Sequence, residues 1–334
     1  MPTAKARSSK LKPVRRARRR RFLITGAAGF IGANLCRRLV QRGEEVHVLV
    51  KSTTAMWRLA DIAGRLHVHR ADLTDAAAID RIIDQVRPAI IHHLATHGAY
   101  PFQKDAEQIL RVNVIGLWNL VRACTRVGYD LLVNTGSSSE YGEKSYAMRE
   151  SDTLDPNSFY AVAKAAQSLL CQYVGRTSKG AIVTIRPFSV YGPYEEPTRL
   201  IPRLMLAALD DRPIEMVSPR TVRDFVYVDD IVDVYLQTDR LRAISGEILN
   251  VGTGVQTDLQ QLVAVLGKVN GAAVRANWGA MAARSWDTTT WLADISKLRR
   301  LIGCVPRVTL EEGLSRTLAW FREHHGLYRL SRGS

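Results

Sequence analysis

Acidic residues are absent from the first 21 positions of this 334-residue chain, which carry ten Lys or Arg. No apolar stretch stands behind those charges, so the segment lacks the hydrophobic region of a secretory signal. Nowhere does an apolar run approach the roughly 20 residues of a membrane span. Cysteine is scarce: Cys36, Cys124, Cys171 and Cys304 lie far apart and form no CxxC pair. That spacing excludes a disulfide framework and a clustered thiolate metal site, and reads as reduced, structural cysteines in a cytoplasmic protein. Internal repeats and low-complexity segments are missing beyond the basic start.

The net charge is +15. Outside residues 1–21 the chain holds 37 basic and 32 acidic residues, so the excess is concentrated in the first segment. The expectation is a disordered basic tail over 1–21 that touches anionic surfaces weakly, with no specific nucleic-acid partner.

What the sequence does have, from residue 22 onward, is alternation. RFLIT, EVHVLV, LHVHRADL, AIIHHLA, DLLVNTGS and AIVTIRP read as short apolar strands, and amphipathic helices separate most of them. Such a pattern predicts an α/β fold, a doubly wound parallel sheet of Rossmann type with helices on both faces. After Pro187 the alternation loosens, and three helical segments dominate 255–325. The expected division is a dinucleotide-binding domain over 22–188 plus about 222–253. A smaller mixed α/β substrate lobe covers about 189–221 plus 254–330.

The stretch LITGAAGFIGANL places Gly26, Gly29 and Gly32 where the first strand turns into the first helix. A helix N-terminus offers free backbone N–H groups and positive dipole. Glycine removes the Cβ atoms that keep a pyrophosphate away. A dinucleotide is therefore expected there, with Phe30 and Ile31 in the same turn. The first glycine gap is one residue wider than in the usual fingerprint.

The end of the second strand lacks the acid that accepts a hydrogen bond from the 2′-hydroxyl of NAD. It has Lys51, Ser52 and Thr53 instead. A lysine and two hydroxyls suit a 2′-phosphate, so NADP(H) is favoured, with NAD(H) as the alternative.

In YAVAK, Tyr160 and Lys164 stand four apart on one helical face, downstream of the serine cluster of TGSSSEYG. Moving hydride to or from an alcohol carbon requires a proton to move on oxygen. A phenol with a pKa near 10 is a poor base until a neighbouring ammonium lowers it. A serine hydroxyl at the strand end binds the same substrate oxygen. His92 and His93, with His97 nearby, read as a buried strand running into the cofactor cleft, and no metal site is expected. Trp278, Trp286 and Trp291 read as aromatic packing in the small lobe.

The series TGAAGFIG, ADL, HHLA, NVIGLWNL, TGSSSEYG, YAVAK, RPFSVYGP, VRDFVYVDD and NVGTG resembles the extended short-chain dehydrogenase/reductases. More narrowly it resembles the NAD(P)-dependent epimerase/dehydratase family that acts on nucleotide sugars, from about residue 22 to 325. The resemblance implies that Gly26, Gly29 and Gly32 cradle pyrophosphate and that Asp72 and Leu73 contact adenine. Leu94, Ala95, Thr96 and Pro187 would line the cofactor cleft, and Asn113 would support the active-site helix. Ser137, Tyr160 and Lys164 would form the catalytic group. Ser138, Ser139 and Ser189 fall at substrate positions, and Arg223 and Arg284 would meet the sugar nucleotide's phosphates. It also implies a homodimer joined through the helices around 107–127 and 158–175.

Three reactions are common in that family. A 4,6-dehydratase needs an extra acid and base where this chain has Ser138 and Ser139, and Glu140 stands one place late, so dehydration is disfavoured. A 4-epimerase and a 4-keto reductase use the same three catalytic residues. Lys51 tilts the expectation to an NADPH-consuming 4-keto sugar reductase, with the 4-epimerase close behind. The competing class is a non-enzymatic dinucleotide or nucleic-acid binder recruited through the tail.

Overall fold

A computed structural model describes residues 20–100, 102–282 and 288–330. Nearly all of the basic tail and two expected site features, Arg284 and Trp286, lie outside the described residues. Arg21, expected to close the tail, instead begins the first strand.

The first half of the chain builds a parallel sheet. Its strands are β1 (Arg21–Thr25), β2 (Glu45–Val50), β3 (His67–Arg70), β4 (Ile90–His93), β5 (Leu131–Thr135) and β6 (Ala181–Pro187). Between them run α1 (Phe30–Gln41), α2 (Ala76–Val86), α3 (Ala106–Leu110), α4 (Gly116–Val127) and α5 (Phe159–Thr177). The chain goes on through β7 (Ser189–Tyr191), α6 (Leu200–Leu209), β8 (Ile214–Met216), β9 (Val222–Arg223) and β10 (Phe225–Tyr227). Then come α7 (Val228–Tyr235), α8 (Thr238–Arg242), β11 (Ile248–Val251), β12 (Thr257–Asp258) and α9 (Leu259–Asn270). It ends on β13 (Ala276–Trp278), α10 (Ser296–Leu301) and α11 (Leu310–Leu330), the last with a kink at His324.

Seven strands form one sheet in the order β11-β6-β5-β4-β1-β2-β3, every pair parallel. The reason lies in the strand residues. Along β1, Phe22 and Ile24 enter one apolar cluster with α1 and α7, while Leu23 enters another with α2 and α4. A strand buried on both faces must be apolar at consecutive positions, which is why its sequence shows no polar alternation. The order reverses at β1, between β2 and β4. Such a switch point opens a crevice at the carboxyl ends of the strands.

The expected long helix over about 107–127 is interrupted by a π-helical turn at Arg111–Ile115. A separate apolar cluster gathers α6, α9, α11, β8 and β10 around Leu204, Leu262 and Phe321. The four cysteines are free; Cys36, Cys124 and Cys171 are buried and Cys304 partly so.

Candidate active site

At the end of β1 the backbone turns through Gly26 with φ +69°. A Cβ there would lie 2.5 Å from Ala95 N and from Leu94 C. A Cβ on Gly32 would stand 2.3 Å from Gly26 O. These two glycines close the turn and let β1 approach the loop after β4 at the switch point. Gly29 is the N-cap of α1 and makes no side-chain cap bond, and the first turn holds no acid. The α1 N-terminus therefore presents backbone N–H groups with no carboxylate competing for them, which fits a dinucleotide's phosphates. Phe30 and Ile31 are partly buried against the core beneath that turn.

At the end of β2, Lys51 Nζ lies 3.0 Å from Asp72 Oδ2, and both side chains are 40% exposed. Asp72 Oδ1 also accepts from Thr74 N at 2.9 Å and Thr74 Oγ1 at 2.8 Å. Burial opposes the Asp72 charge, but the Thr74 and Lys51 hydrogen bonds outweigh it and hold the carboxyl below its usual value. Lys51 thus faces an acid, and Ser52 is exposed beside it. Leu73 is buried, and a Cβ on Gly116 would meet it at 2.9 Å.

The β4 loop is fixed by Asn113. Its side chain accepts from His97 N and donates to His97 O, both at 2.8 Å, and accepts from Thr96 Oγ1 at 3.3 Å. Its carbonyl, in the π-helical turn, accepts from Gln167 Nε2 at 2.6 Å. Asn113 therefore ties the Leu94–Ala95–Thr96 segment to α5, the helix that carries Tyr160 and Lys164.

β5 delivers the serine cluster. Ser137 caps a 3₁₀ turn over Ser138–Tyr141 in a reciprocal box: its Oγ accepts from Ser139 N at 3.1 Å, and Glu140 Oε1 accepts from Ser137 N at 2.7 Å. That box fixes the Ser137 hydroxyl, whose interaction with the Tyr160 phenol works against the effect of burial on that phenol. Lys164 sits one turn along α5, 1% exposed, donating from Nζ to Thr135 O at 2.8 Å. Its ammonium lies 5.9 Å from the Tyr160 ring centroid. Burial lowers the Lys164 ammonium to about 8, partly countered by the Glu140 charge. Burial raises the Tyr160 phenol above its ordinary value, against the Ser137 hydrogen bond and the positive charge of Arg199.

Glu140 is not a spare acid. Arg186 donates to its Oε2 from Nε and from a terminal nitrogen, both at 2.7 Å, and neither side chain is more than 1% exposed. Arg186 also donates to Tyr141 Oη at 2.8 Å, and Tyr141 donates to Asn250 Oδ1 at 2.7 Å. Of the substrate positions, Ser138 is buried, while Ser139 and Ser189 are partly exposed, with Pro187 ending β6 beside the latter. Arg223 on β9 donates to Val222 O and lies 5.6 Å from the Trp291 ring centroid. Trp291 is packed with Phe188 and Val222, and Trp278 packs on the α9–α11 cluster, as aromatic core. His92 and His93 are buried, and burial pushes both imidazoles down to about 3.

Three residues were invisible to the sequence reading. Arg186 is masked by the apolar run of β6. Asp224 accepts from Thr253 N at 2.8 Å, Gly254 N at 3.0 Å and Ala293 N at 3.2 Å, anchoring the NVGTG loop. Arg199, the N-cap of α6, brings its guanidinium to 5.9 Å from the Tyr100 ring centroid and its charge to bear on Tyr160. Asp224 lies inside the VRDFVYVDD motif without being singled out there, and no motif marks Arg199.

Residues 22–252 match the model of the NAD dependent epimerase/dehydratase family. A dTDP-glucose 4,6-dehydratase of Streptomyces griseus is 30% identical over 317 residues, spanning 91% of this chain and 94% of that one. A UDP-glucuronate 4-epimerase of Thermodesulfobacterium geofontis is 28% identical over 315 residues, spanning 91% and 96%. Among solved structures, the UDP-glucuronic acid 4-epimerase of Bacillus cereus in complex with UDP-glucuronic acid and NAD superposes with a TM-score of 0.78 at 26% identity. The match covers 91% of this chain and 99% of that one.

Proposed function

The chain belongs to the NAD dependent epimerase/dehydratase family, and we propose that it interconverts the C4 epimers of a nucleoside diphosphate sugar, a UDP-hexuronate or UDP-hexose, with NAD as its retained cofactor. The observation that carries this reading is a buried Lys164 5.9 Å from the Tyr160 ring centroid and a Ser137 fixed by its own capping box, beside an acid that Arg186 has already taken. Epimerisation needs the first three groups and no further acid. Dehydration needs a carboxyl free to give and take protons at Ser138 or Ser139, and Glu140 is turned away from the cleft into the Arg186 pair. The 4-keto reductase favoured from Lys51 loses ground because Lys51 faces Asp72, and because the similar proteins include 4-epimerases, one holding NAD. NADP(H) gives way to NAD for the same reason.

NAD held at the α1 N-terminus supplies the hydride acceptor and donor for C4 and, when oxidised, a positive ring that favours the phenolate. Tyr160 Oη takes the O4 proton and returns it. Ser137 Oγ, fixed by its own capping box, hydrogen-bonds O4 and orients it. Arg199 places positive charge near the phenol and works against the burial that raises it, and the Lys164 ammonium stands 5.9 Å from the ring centroid. Arg223 and Arg284 grip the diphosphate, for which a planar, permanently charged fork is suited.

In this reading 22–188 with about 222–253 holds the dinucleotide, and about 189–221 with 254–330 holds the sugar nucleotide. A second copy of the chain covers the apolar groove between α4 and α5, where Trp118, Leu169 and Tyr173 are 44%, 57% and 69% exposed. No helix among the described residues is long and apolar enough to cross a membrane.

The test incubates the full chain with catalytic NAD and, separately, UDP-glucose, UDP-galactose, UDP-glucuronate and UDP-galacturonate. Appearance of the C4 epimer with no net change in reduced nicotinamide supports the proposal. Stoichiometric oxidation of NADPH with a 4-keto sugar and no epimer formation overturns it.

A further inference from the structure

The amino ends of β2 and β3 lie at the opposite end of the sheet from the catalytic crevice, and β3 is a sheet edge. There the chain sets EVHVLV against HVHR so that His47 pairs with His67 in register. Side chains two apart on a strand share a face, so His67 and His69 flank His47 on one surface. The His47 ring centroid lies 4.6 Å from that of His67 and 5.3 Å from that of His69, with interplanar angles of 21° and 20°. Glu45, two residues before His47, completes the group. One ligand atom from each of Glu45, His47 and His67 lies within 4.8 Å of the others.

We propose that Glu45, His47 and His67 form a binding site for a divalent cation of the zinc type, with His69 as the group that orients His47. The two hydrogen bonds of His47 carry the assignment. Its Nε2 lies 3.1 Å from Glu45 Oε1, so that nitrogen and that oxygen already face one point. Its Nδ1 lies 3.0 Å from His69 Nε2. A neutral His47 that donates Nε2–H to Glu45 accepts at Nδ1 from His69; a metal that takes the place of the Nε2 proton leaves Nδ1–H to donate to His69, the arrangement by which outer groups fix a ligating histidine. His67 is exposed, its ring stacks on that of His47, and one of its nitrogens lies within the same 4.8 Å cluster.

The donor set selects the ion. Two imidazoles and one carboxylate suit zinc, nickel, copper or cobalt, whereas magnesium and calcium require oxygen ligands. Three protein ligands leave a fourth position to water. A bound ion would clasp edge strand β3 to β2, far from the redox chemistry.

The experiment dialyses the full chain against a chelator and titrates zinc chloride by calorimetry, with magnesium chloride as control. One zinc per chain is expected and no magnesium, with a rise in melting temperature on zinc addition. His67→Ala and Glu45→Gln should weaken zinc binding at least tenfold, and His69→Ala by about 10–100-fold, with epimerase turnover unchanged in all three. A double His324→Ala, His325→Ala variant should bind zinc as the unmodified chain does. Absence of zinc binding at 1 mM metal, or unaltered binding in both His67→Ala and Glu45→Gln while circular dichroism shows them folded, overturns the proposal. Loss of binding in the 324/325 variant instead also overturns it.

Discussion

Glu140 Oε2 and Arg186 Nε meet at 2.7 Å with both side chains sealed from solvent, and this pair decides what the catalytic cleft has at its disposal. Arg186 follows the residue on β6 that pairs with Thr135, so the pair spans the two parallel strands whose ends carry the active site. Removing either partner leaves a charge buried alone. Glu140→Ala or Arg186→Ala should each cost about 3–5 kcal/mol, while a joint Glu140→Leu, Arg186→Met replacement should cost far less. Urea denaturation midpoints for the three variants check this, and a double variant as unstable as the singles would contradict it.

In the proposed mechanism Tyr160→Phe removes the proton acceptor and Ser137→Ala the hydroxyl that orients O4. Turnover should fall by about 10²–10⁴ for Tyr160→Phe and less for Ser137→Ala. NAD binding, followed by tryptophan fluorescence, should persist in both, since neither side chain builds the α1 turn.

If the proposed cofactor reading holds, the facing pair Lys51 and Asp72, 3.0 Å apart, sets the choice between NAD and NADP. Asp72→Asn removes the acid that faces a 2′-phosphate and leaves the lysine. The ratio of NADP to NAD affinity should rise several-fold, even though both affinities fall if Asp72 also holds adenine. An unchanged ratio measured by calorimetry would show that the pair does not set the preference.

Glu195 offers a test by pH. It is buried, its Oε2 has no hydrogen-bond partner among the described residues, and burial raises the carboxyl from 4.5 to about 8. A carboxyl with a folded pKa above its unfolded pKa keeps its proton longer in the native state. Its contribution to stability is complete below pH 4.5 and is lost as pH rises to about 8. Glu195→Gln should flatten the fall in melting temperature across that window and should be relatively more stable at its upper end. Parallel melting curves for the two proteins would sink this account.

The groove between α4 and α5 predicts the assembly. Leu169→Glu with Tyr173→Glu places two charges on its exposed apolar rim and should convert a dimer to a monomer by light scattering. Secondary structure should be retained, because both side chains stand outside the core. A monomeric parent chain would refute the dimer outright.

The sequence by itself determined whatever is decided within a few residues of chain. Gly26 and Gly32 mark the turn from β1 into α1 because a Cβ on either would strike neighbouring backbone. Tyr160 and Lys164 share a face because a helix repeats every 3.6 residues. Apolar strands alternating with amphipathic helices fix the doubly wound sheet, because each strand must be covered twice. Only the tertiary structure decided the rest. Glu140 reads only as an acid one place late for dehydration until parallel pairing of β5 and β6 brings Arg186, 46 residues later, onto its carboxylate. Lys51 reads as a phosphate ligand until Asp72 is seen against it. His47 and His67 read as unrelated strand residues until the β2–β3 register sets them side by side. The charge and coordination of a group depend on distances of a few ångströms between side chains. Strand order and register set those distances, and no local pattern in the chain encodes them.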